Sequence, residues 1–586
     1  MSQVETNVER DRQALVEAQG KGTSAVVKTY FRLSGPGWLQ SAITLGGGSL
    51  ASSLYLGVIG GFALLWVQPF AMVLGIIMLS AIGYVTLSTE EQPFRAINEH
   101  VNPVLGWGWA LAVAMANVVW CMPQYSLANG ALGQNLLPKF FGNPNDEGTT
   151  GLITQWATGT FGEQSFWATH LDELIIAISI LTVATIVTWS YDRGGWGLKL
   201  YETILKIVVA LIVLSFIGVV IKLSVTDGGL AWGSIFSGFI PDFSTFIRPT
   251  DSFLPLLEAI GPEGDPNRKY WVKYIVDQQQ DVMISAAATA VGINMTFLFA
   301  YSLLRKGWSK EFRGLVKFDL ATGLLVPFLL ATSCIVVAAA SQFHTKVAHG
   351  FLFDGEQVTV PKDFKGKYDG LLGGRNKAAE AVAETDSPMA NEPSLSEKKL
   401  AATLVKRDNF ELAHSLKELF QGDFWANVIF GFGVLAMTLS TITILMLISG
   451  FVFTEMLGLP PGGWPHRIGT LIAGIGGAFG PFIWKGAAAY LVVPTSVFGF
   501  VLLPVAYFAF FLLMNQKKFL GANAPTGGRR IAWNVLMGVA ASIAAIGSVY
   551  MAHKKAGLMG VGAIAAFVLV AVIVHFNRVN TRKHES

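Results

Sequence analysis

Long apolar runs recur along the chain, and they constrain the fold more than any other feature of the sequence. A run of about 17 to 25 apolar residues is long enough to cross the hydrocarbon core of a bilayer as a helix. Hydrophobic residues make up 52% of the 586 residues and charged residues only 14%, and the mean hydropathy is +0.49. We therefore predict an all-α polytopic membrane protein embedded in a lipid bilayer.

Twelve apolar runs are predicted to cross the membrane, and they are numbered here as spans 1 to 12. Their approximate bounds are 37–59, 62–86, 104–138, 171–190, 198–222, 282–303, 318–341, 425–455, 466–484, 488–514, 530–552 and 558–577. Spans 3 and 8 are longer than one crossing requires. Each has room for a turn or a kink, which Pro123 marks in span 3.

Basic residues in short connecting segments predict the orientation. Lys and Arg collect between spans 6 and 7, between spans 10 and 11, and after span 12. Since short cytoplasmic loops are enriched in Lys and Arg, these regions and the tail of residues 1–36 are predicted to be cytoplasmic. The chain is then a multi-pass protein of a cell membrane with both termini cytoplasmic, and the longer polar segments 139–170, 223–281 and 342–424 face outward.

The segment 342–424, between spans 7 and 8, is predicted to be an outer insert. It contains a glycine-rich patch from Gly370 to Gly374 and a helix-like charged stretch from Ser394 to Leu419. This composition fits either a small cap or a partly disordered segment.

Span 1 is interrupted by Gly46, Gly47, Gly48 and Ser49. Each glycine costs about 1 kcal/mol against Ala in a helix, so the span is predicted to unwind there. Irregular backbone is tolerated at membrane depth only where it is buried in protein or lines a water-filled cavity. A substrate site is one interpretation, and close helix packing through small residues is the other.

Span 6 has its own weak point at 291–296, where Gly292 precedes a short polar stretch. Spans 1 and 6 correspond if spans 1 to 10 divide into two halves of five. Interrupted helices in corresponding positions of two halves are the best sequence indication of a transporter site. The predicted substrate-binding residues are Gly46, Gly47, Gly48, Ser49, Gly292, Asn294, Met295 and Thr296.

Several short motifs occur in one order between residues 35 and 521. They are Gly35-Pro36-Gly37-Trp38-Leu39 before span 1, the stretch 197–202 opening span 5, Lys317-Phe318-Asp319 opening span 7, and the stretches 430–436 and 440–443 in span 8. Together they resemble the Nramp family of divalent-metal transporters. The resemblance implies a leucine-transporter-type five-plus-five inverted repeat, with alternating access through the half-helices of spans 1 and 6.

The resemblance also implies a division of the chain. The predicted parts are a cytosolic tail 1–36, a first repeat 37–222, an extracytoplasmic loop 223–281, a second repeat 282–514 that includes the insert 342–424, and a final part 515–586 with spans 11 and 12.

The sequence departs from the family at both breaks. The family's first break reads Asp-Pro-Gly-Asn and binds metal through its Asp and Asn, whose positions fall on Gly46 and Ser49. The family's second break reads Met-Pro-His, which aligns with Asn294, Met295 and Thr296, and a one-residue shift would restore Met295 as a sulfur ligand. The acids that the family is thought to use for protons in span 3 are absent from 116–126.

Three functions remain open from these residues. The first is transport, without proton coupling, of a divalent cation that stays largely hydrated, as Mg²⁺ does, with Ser49, Asn294 and Met295 as uncertain ligands. The second is transport of a small organic solute or anion, which the half-helix N-terminus near Ser49 would suit. The third is a non-transporting sensor or scaffold that keeps the fold.

Other intramembrane polar residues are candidates for a pathway or a gate, with helix packing and interfacial charge as the alternatives. They are Asn117, Gln124, Asp319, Thr441 and Glu455. Asp281, just before predicted span 6, either attracts cations to an outer vestibule or is a solvated acid at a helix start.

The sequence argues against several other classes of protein. It has no phosphate-binding loop, His-Glu zinc motif or nucleophile elbow, so no enzyme is predicted. A net charge of +3 gives no case for nucleic-acid binding. The two cysteines, Cys121 and Cys334, fall in different spans and provide neither a disulfide framework nor a metal cluster. No cofactor is expected, and the oligomeric state stays open.

Overall fold

The computed structural model of the chain is a bundle of long helices. It describes residues 3–141, 151–192, 217–225, 229–381, 389–407, 423–460, 462–484 and 488–585, with residue 383 and a few single positions between 203 and 214. In these residues eight helices are long and apolar enough to cross a membrane, and a further pair of helices does so across a 53° bend. The prediction of an all-α polytopic membrane protein is confirmed.

In the first half, span 1 is the bent pair. The helices are Pro36–Thr44 and Gly47–Gly60 for span 1, Val67–Thr89 for span 2, Pro103–Gly130 for span 3 and Phe166–Asp192 for span 4. The helix of span 3 runs through Pro123, and the change of geometry comes later, in the π-helical turn Ala131–Leu136. Most of span 5 lies outside the described residues, although 217–225 are helical.

In the second half, spans 6 and 7 are each built from more than one segment. The elements are Pro266–Ala290 and Ile293–Arg305 for span 6, Arg313–Asp319, the π-helical Leu320–Leu325 and Val326–Phe343 for span 7, Asp423–Met456 for span 8, Gly463–Ala478 and Gly480–Ile483 for span 9, and Val492–Met514 for span 10. Span 6 begins sixteen residues before its predicted start, because Asp265 caps the helix by accepting hydrogen bonds from the backbone of Asn267 and Arg268.

Spans 11 and 12 form an antiparallel pair. The helix Gly527–Glu585 is broken at Gly557, whose φ of 57° and ψ of −144° are non-helical. Just before the break Lys555 bonds Asp281, near the end of the bundle where span 6 starts. At the far end of span 12 Arg578 donates to backbone carbonyls just before span 3. The chain therefore reverses direction at Gly557.

The N-terminal tail lies at the same end of the bundle as the basic loop between spans 6 and 7. Its helices are Gln3–Lys21 and Thr23–Leu33. The rings of Tyr30 and Phe318 are 5.4 Å apart, and Arg12 pairs with Glu311 at 3.7 Å. This arrangement agrees with a shared side for the two regions, while the identity of that side stays a prediction.

The predicted insert 342–424 contains folded elements. They are an antiparallel hairpin of Leu352–Asp354 and Gln357–Thr359, with Leu352 opposite Thr359, and the helices Lys362–Ala381 and Leu395–Leu404. The glycine-rich patch lies inside the first of these helices. The charged stretch is helical only to Leu404, which is followed by non-helical residues 405–407, and its remainder from 408 lies outside the described residues.

Shorter helices complete the described chain. They are Pro93–His100, Pro138–Phe141, Leu152–Phe161, Trp232–Ser237, Phe243–Phe246, Asp251–Phe253, Leu254–Glu258, Lys310–Phe312, Ala488–Leu491, Lys517–Leu520 and Gly521–Asn523. The main apolar core runs through spans 1, 2, 3, 6, 7, 8 and 10, so the two interrupted spans lie at the centre of the bundle.

Candidate functional site

Span 1 is interrupted at Leu45 and Gly46. Gly46 is extended, with φ −87° and ψ −175°, and the second half-helix starts at Gly47. A Cβ added to Gly46 would lie 1.7 Å from Oγ1 of Thr441, and one added to Gly47 would lie 2.6 Å from Oε1 of Gln124. The glycines thus break the helix and also let spans 3 and 8 pack closely against it, as the interpretation of close helix packing expects, while the substrate site stays a prediction.

Span 6 is interrupted at Val291 and Gly292, both of which are extended. The second half-helix starts at Ile293, which places Asn294, Met295 and Thr296 in its first turn. A Cβ on Gly292 would lie 2.3 Å from the ring of Trp120. The break of span 6 is therefore packed against span 3.

Hydrogen bonds connect the two broken spans on both sides of their breaks. On one side Thr44 Oγ1 donates to Met295 Sδ at 3.3 Å. On the other side Ser49 Oγ donates to the carbonyl of Thr289 at 3.3 Å, and the hydroxyls of Ser52 and Thr289 are 2.9 Å apart. The first half-helix of span 1 thus contacts the second half-helix of span 6, and the remaining two half-helices contact each other.

A small cavity lies beside these contacts, between spans 1, 3, 6, 8 and 10. It encloses about 30 Å³, room for about one water molecule. Its polar lining consists of hydroxyl, amide and thioether groups and carries no charge. The polar lining residues are Thr44, Ser49, Gln124, Thr289, Met295, Thr441, Thr495 and Ser496.

Two buried amide groups at the site have atoms without a hydrogen-bond partner among the described residues. They are Oε1 of Gln124 and Nδ2 of Asn294, while Oδ1 of Asn294 accepts from the backbone N–H of Met295 at 2.9 Å. An unsatisfied buried polar group costs about 1–3 kcal/mol, so each atom favours a ligand or a water molecule. Within the part of the chain that is described, no group of three or more His, Cys, Asp or Glu side chains is placed to hold a metal.

The predicted substrate-binding residues take different places around the cavity. Gly48, Ser49 and Met295 line it. Gly46, Gly47 and Gly292 form the tight contacts at the two breaks described above. Asn294 is fully buried outside the lining, and Thr296 is also outside it, because its Oγ1 accepts from Trp109 Nε1 at 3.0 Å and donates to the backbone.

Only two of the predicted pathway residues line the cavity. Gln124 and Thr441 line the cavity, whereas Asn117 is buried in span 3 outside the lining. A carboxylate oxygen of Asp319 accepts hydrogen bonds from the backbone N–H groups of Gly35 at 3.2 Å and Gly37 at 2.7 Å. Asp319 therefore fixes the start of span 1 to span 7.

Glu455 lies near a second, larger cavity at the end of the bundle that carries the termini. This vestibule encloses about 670 Å³, and its charged lining residues are Glu90, Glu91, Arg95, Glu99 and Arg305. Tyr301, at its inner wall, interacts with Glu455 and stacks on Phe297 at 4.3 Å and on Phe451 at 6.2 Å. Tyr301 and Phe451 line the vestibule, whereas Met295 lines the central cavity.

The prediction of Asp281 as a helix-start acid is wrong. Because the helix begins at Pro266, Asp281 lies fifteen residues inside it and is buried. Its carboxylate bonds Lys554 at 3.1 Å and Lys555 at 2.5 Å. The charge of the carboxylate is thus balanced by two lysines that lie just before the turn between spans 11 and 12.

Sequence reasoning missed several lining residues. Thr289 stands two residues before the break of span 6, so its position was a usable signal. Thr495 and Ser496 lie near the start of span 10 with no neighbouring motif, and only the fold brings them to the cavity. Thr44 likewise ends the first half-helix of span 1.

Solved structures show which fold the chain shares. Two variants of the Eremococcus coleocola manganese transporter match with TM-scores of 0.58 and 0.56, at 13% and 14% identity, covering 95% and 94% of this chain and 96% and 93% of those chains. The same transporter in complex with an aromatic bis-isothiourea substituted compound matches with a TM-score of 0.55 at 14% identity, covering 94% of this chain and 93% of that one. The chain has the fold of this class of membrane transporter.

A sequence comparison adds the family relationship. The family model described as natural resistance-associated macrophage protein-like, or Nramp, matches residues 400–576. This range includes the stretches 430–436 and 440–443 on which the resemblance was based. No curated protein matches the chain. The chain is thus a distant relative of the Nramp family, similar in sequence over its C-terminal part and in fold over nearly its whole length.

Proposed function

We propose that the protein is a secondary transporter whose substrate binds in the cavity between the breaks of spans 1 and 6. The observation that carries this proposal is the meeting of the two interrupted spans at one small polar cavity. Half-helices that meet near the middle of the membrane form the substrate site in transporters of this architecture. The similarity to a manganese transporter supports a metal ion as the substrate.

The proposed substrate is a divalent cation that keeps most of its water, with Mg²⁺ as the leading example. Mg²⁺ dehydrates reluctantly and needs few direct protein ligands, whereas a dehydrated ion at this depth requires charged or numerous oxygens. The lining offers neutral oxygens, including the unpartnered Oε1 of Gln124, together with the thioether of Met295.

Such an ion does not fit the cavity in its present form. Six waters occupy roughly 180 Å³ at about 30 Å³ each, whereas the cavity encloses about 30 Å³. Binding therefore requires the half-helices of spans 1 and 6 to move away from their neighbours. This movement is the alternating access that the fold supports.

The proposed flux is not coupled to protons. A coupled symporter needs an intramembrane acid or His that gains and loses a proton along the path. The lining of the central cavity has no such group. In proteoliposomes loaded with a pH-sensitive dye, Mg²⁺ uptake should leave the lumenal pH unchanged, and a substrate-dependent acidification absent from protein-free vesicles would contradict the proposal.

Calorimetric titration of the purified protein tests the substrate. We expect weak, saturable Mg²⁺ binding that the change Gln124→Leu reduces. Asn117→Leu is the matched control, because it removes a buried amide from the same span outside the cavity. Micromolar Mn²⁺ binding would contradict the argument from neutral ligands, and equal losses in the two variants would contradict the location of the site.

A small organic anion is the second candidate substrate, and one observation favours it. The end of the bundle opposite the termini carries Lys406, Lys554 and Lys555 against Asp277 and Asp281, a net positive set of side chains. Positive charge at an entrance raises the local concentration of anions. Saturable binding of an organic acid in the same titrations, without Mg²⁺ binding, would select this candidate, whereas a sensor or scaffold would show no flux of either substrate.

A further inference from the structure

The two helices of the insert are fixed to the outer end of span 6. Arg375 and Glu397 form a fully buried ion pair at 2.9 Å. Trp271 donates to Glu397 at 3.0 Å, and Arg375 also donates to Oδ1 of Asn267 at 2.7 Å. Because removing one partner of a buried ion pair is strongly destabilising, these bonds hold the insert in one position.

The segment Val405–Arg407, which follows the second insert helix, lies on the outer ends of spans 1, 7 and 10. Tyr55 OH donates to the carbonyl of Arg407 at 2.5 Å. The guanidinium of Arg407 lies 5.2 Å from the ring centre of Phe343, and it donates to the carbonyl of Lys346 at 3.0 Å. The ammonium of Lys406 lies 3.5 Å from the ring centre of Tyr490.

Three spans lead from this segment to the central cavity. On span 6, Asp281, Ser285 and Thr289 follow one another at four-residue intervals and share a face. Asp281 interacts with Lys406, Thr289 lines the cavity, and the buried hydroxyl of Ser285 between them has no partner among the described residues. Span 6 therefore provides a polar face from the insert to the site.

Spans 1 and 10 also run from Val405–Arg407 to the central cavity. Tyr55 lies six residues beyond Ser49 along the second half-helix of span 1, and Tyr490 lies five residues before Thr495. The two tyrosine rings meet edge-on at 5.3 Å. Arg407 and Lys406 contact this pair, which lies along spans 1 and 10 between Val405–Arg407 and the lining residues Ser49 and Thr495.

We propose that Val405–Arg407 is a plug that closes the outer entrance to the central cavity, with Lys406 as a tethered positive charge at the entrance. A solute arriving from that side reaches the cavity only after the plug leaves Tyr55 and Tyr490. A cation meets the Lys406 charge before it meets any site ligand. The biological role of the plug rests on the proposed transport function, whereas its closure of the entrance is measurable without transport.

Chemical labelling of a single cysteine tests the plug. The reporter is Ser285→Cys, with Cys121 and Cys334 replaced by Ala, and the probe is a membrane-impermeant quaternary-ammonium methanethiosulfonate added on the side opposite the termini. We expect slow labelling with the native plug. The double change Lys406→Ala with Arg407→Ala should accelerate labelling about tenfold or more, since it removes the two side chains that pack on the rings of Tyr490 and Phe343 and one hydrogen bond.

Two further variants complete the experiment. Lys377→Ala, which removes an exposed lysine elsewhere on the insert, should leave the labelling rate unchanged. Tyr55→Phe keeps the aromatic ring and removes the hydrogen bond to the carbonyl of Arg407, so it should accelerate labelling severalfold even if the double variant does not fold. Equal rates in the native-plug, Tyr55→Phe and double-variant proteins would overturn the plug. Absence of Mg²⁺ flux with accelerated labelling would instead contradict the proposed substrate and leave the plug supported.

Discussion

Gly46 and Thr441 approach so closely that no side chain fits between them. A Cβ on Gly46 would lie 1.7 Å from the Oγ1 atom of Thr441 and 3.0 Å from its Cβ atom. Two positions along, a Cβ on Gly48 would have its nearest neighbour at 3.5 Å, an ordinary contact. In the three-glycine stretch, Gly46 and Gly47 are therefore crowded positions, whereas Gly48 has room for a methyl group.

Alanine at positions 46 and 48 should have opposite effects on stability. Gly46→Ala overpacks the contact with Thr441 and should destabilise the fold by about 1–3 kcal/mol. Gly48→Ala is the matched control, and it should be neutral or stabilising by up to about 1 kcal/mol, because alanine is the better helix former. Unfolding midpoints of the purified variants measure the difference. Equal midpoints would contradict the packing at this break.

Restoring the family's metal ligands should fail for a steric reason. Gly46→Asp with Ser49→Asn places a carboxylate where Thr441 already stands, so we expect no Mn²⁺ binding by calorimetry. Adding Thr441→Ala removes the clashing Oγ1 atom and should produce measurable Mn²⁺ binding. Strong Mn²⁺ binding by the double variant without Thr441→Ala would contradict the steric explanation, because it would show that span 8 can move away from position 46.

Asp319 should contribute to stability by fixing the start of span 1. Asp319→Ala leaves the N–H groups of Gly35 and Gly37 without their carboxylate acceptor and should cost about 1–3 kcal/mol. Asp319→Asn retains an acceptor oxygen and should cost less. Thermal unfolding with each variant measures the order, and an equal loss for the two changes would point to the charge of Asp319 rather than to these hydrogen bonds.

Seating of the plug should strengthen at alkaline pH. Burial lowers the pKa of Lys406 from 10.5 to about 8, with Asp281 opposing the shift and Lys555 adding to it, beside the ring of Tyr490. The Lys406 ammonium thus has a lower pKa in the seated plug than in a released plug. The free energy of closure should therefore be constant below pH 8 and become more favourable between pH 8 and pH 10.5. The labelling rate of Ser285→Cys, divided by its rate in a Lys406→Met background, should fall as the pH rises above 8. A constant ratio would contradict this role of Lys406.

Among the described residues, the sequence was sufficient for the membrane helices, apart from the start of span 6, and for the positions of both breaks. Membrane spans are readable because every backbone polar group in lipid must be satisfied internally, which forces long apolar helices. Glycine marked both interruptions, at Gly46 and at Gly292, because it costs helix stability wherever it stands. These are local properties of the chain.

The lining of the cavity depends on contacts between distant spans, and for this reason sequence identified only part of it. Thr495 carries no local signal. Asn294 and Thr296 stand beside a break, yet the rotation of their helix turns them into the surrounding protein. The start of span 6 was misplaced because its first turns are polar although helical, so hydropathy could not detect them.

The central claim is that a substrate crosses the membrane through the cavity beside Ser49, and Mg²⁺ uptake into proteoliposomes tests it most directly. The measurement compares the unaltered protein with Ser49→Trp, whose side chain would fill the cavity, and with Ser548→Trp, at a buried serine in span 11 away from it. Folding of each variant is checked by its elution as a single species. We predict Mg²⁺ uptake by the unaltered protein and by Ser548→Trp, and none by Ser49→Trp. Undiminished uptake by folded Ser49→Trp would contradict the account.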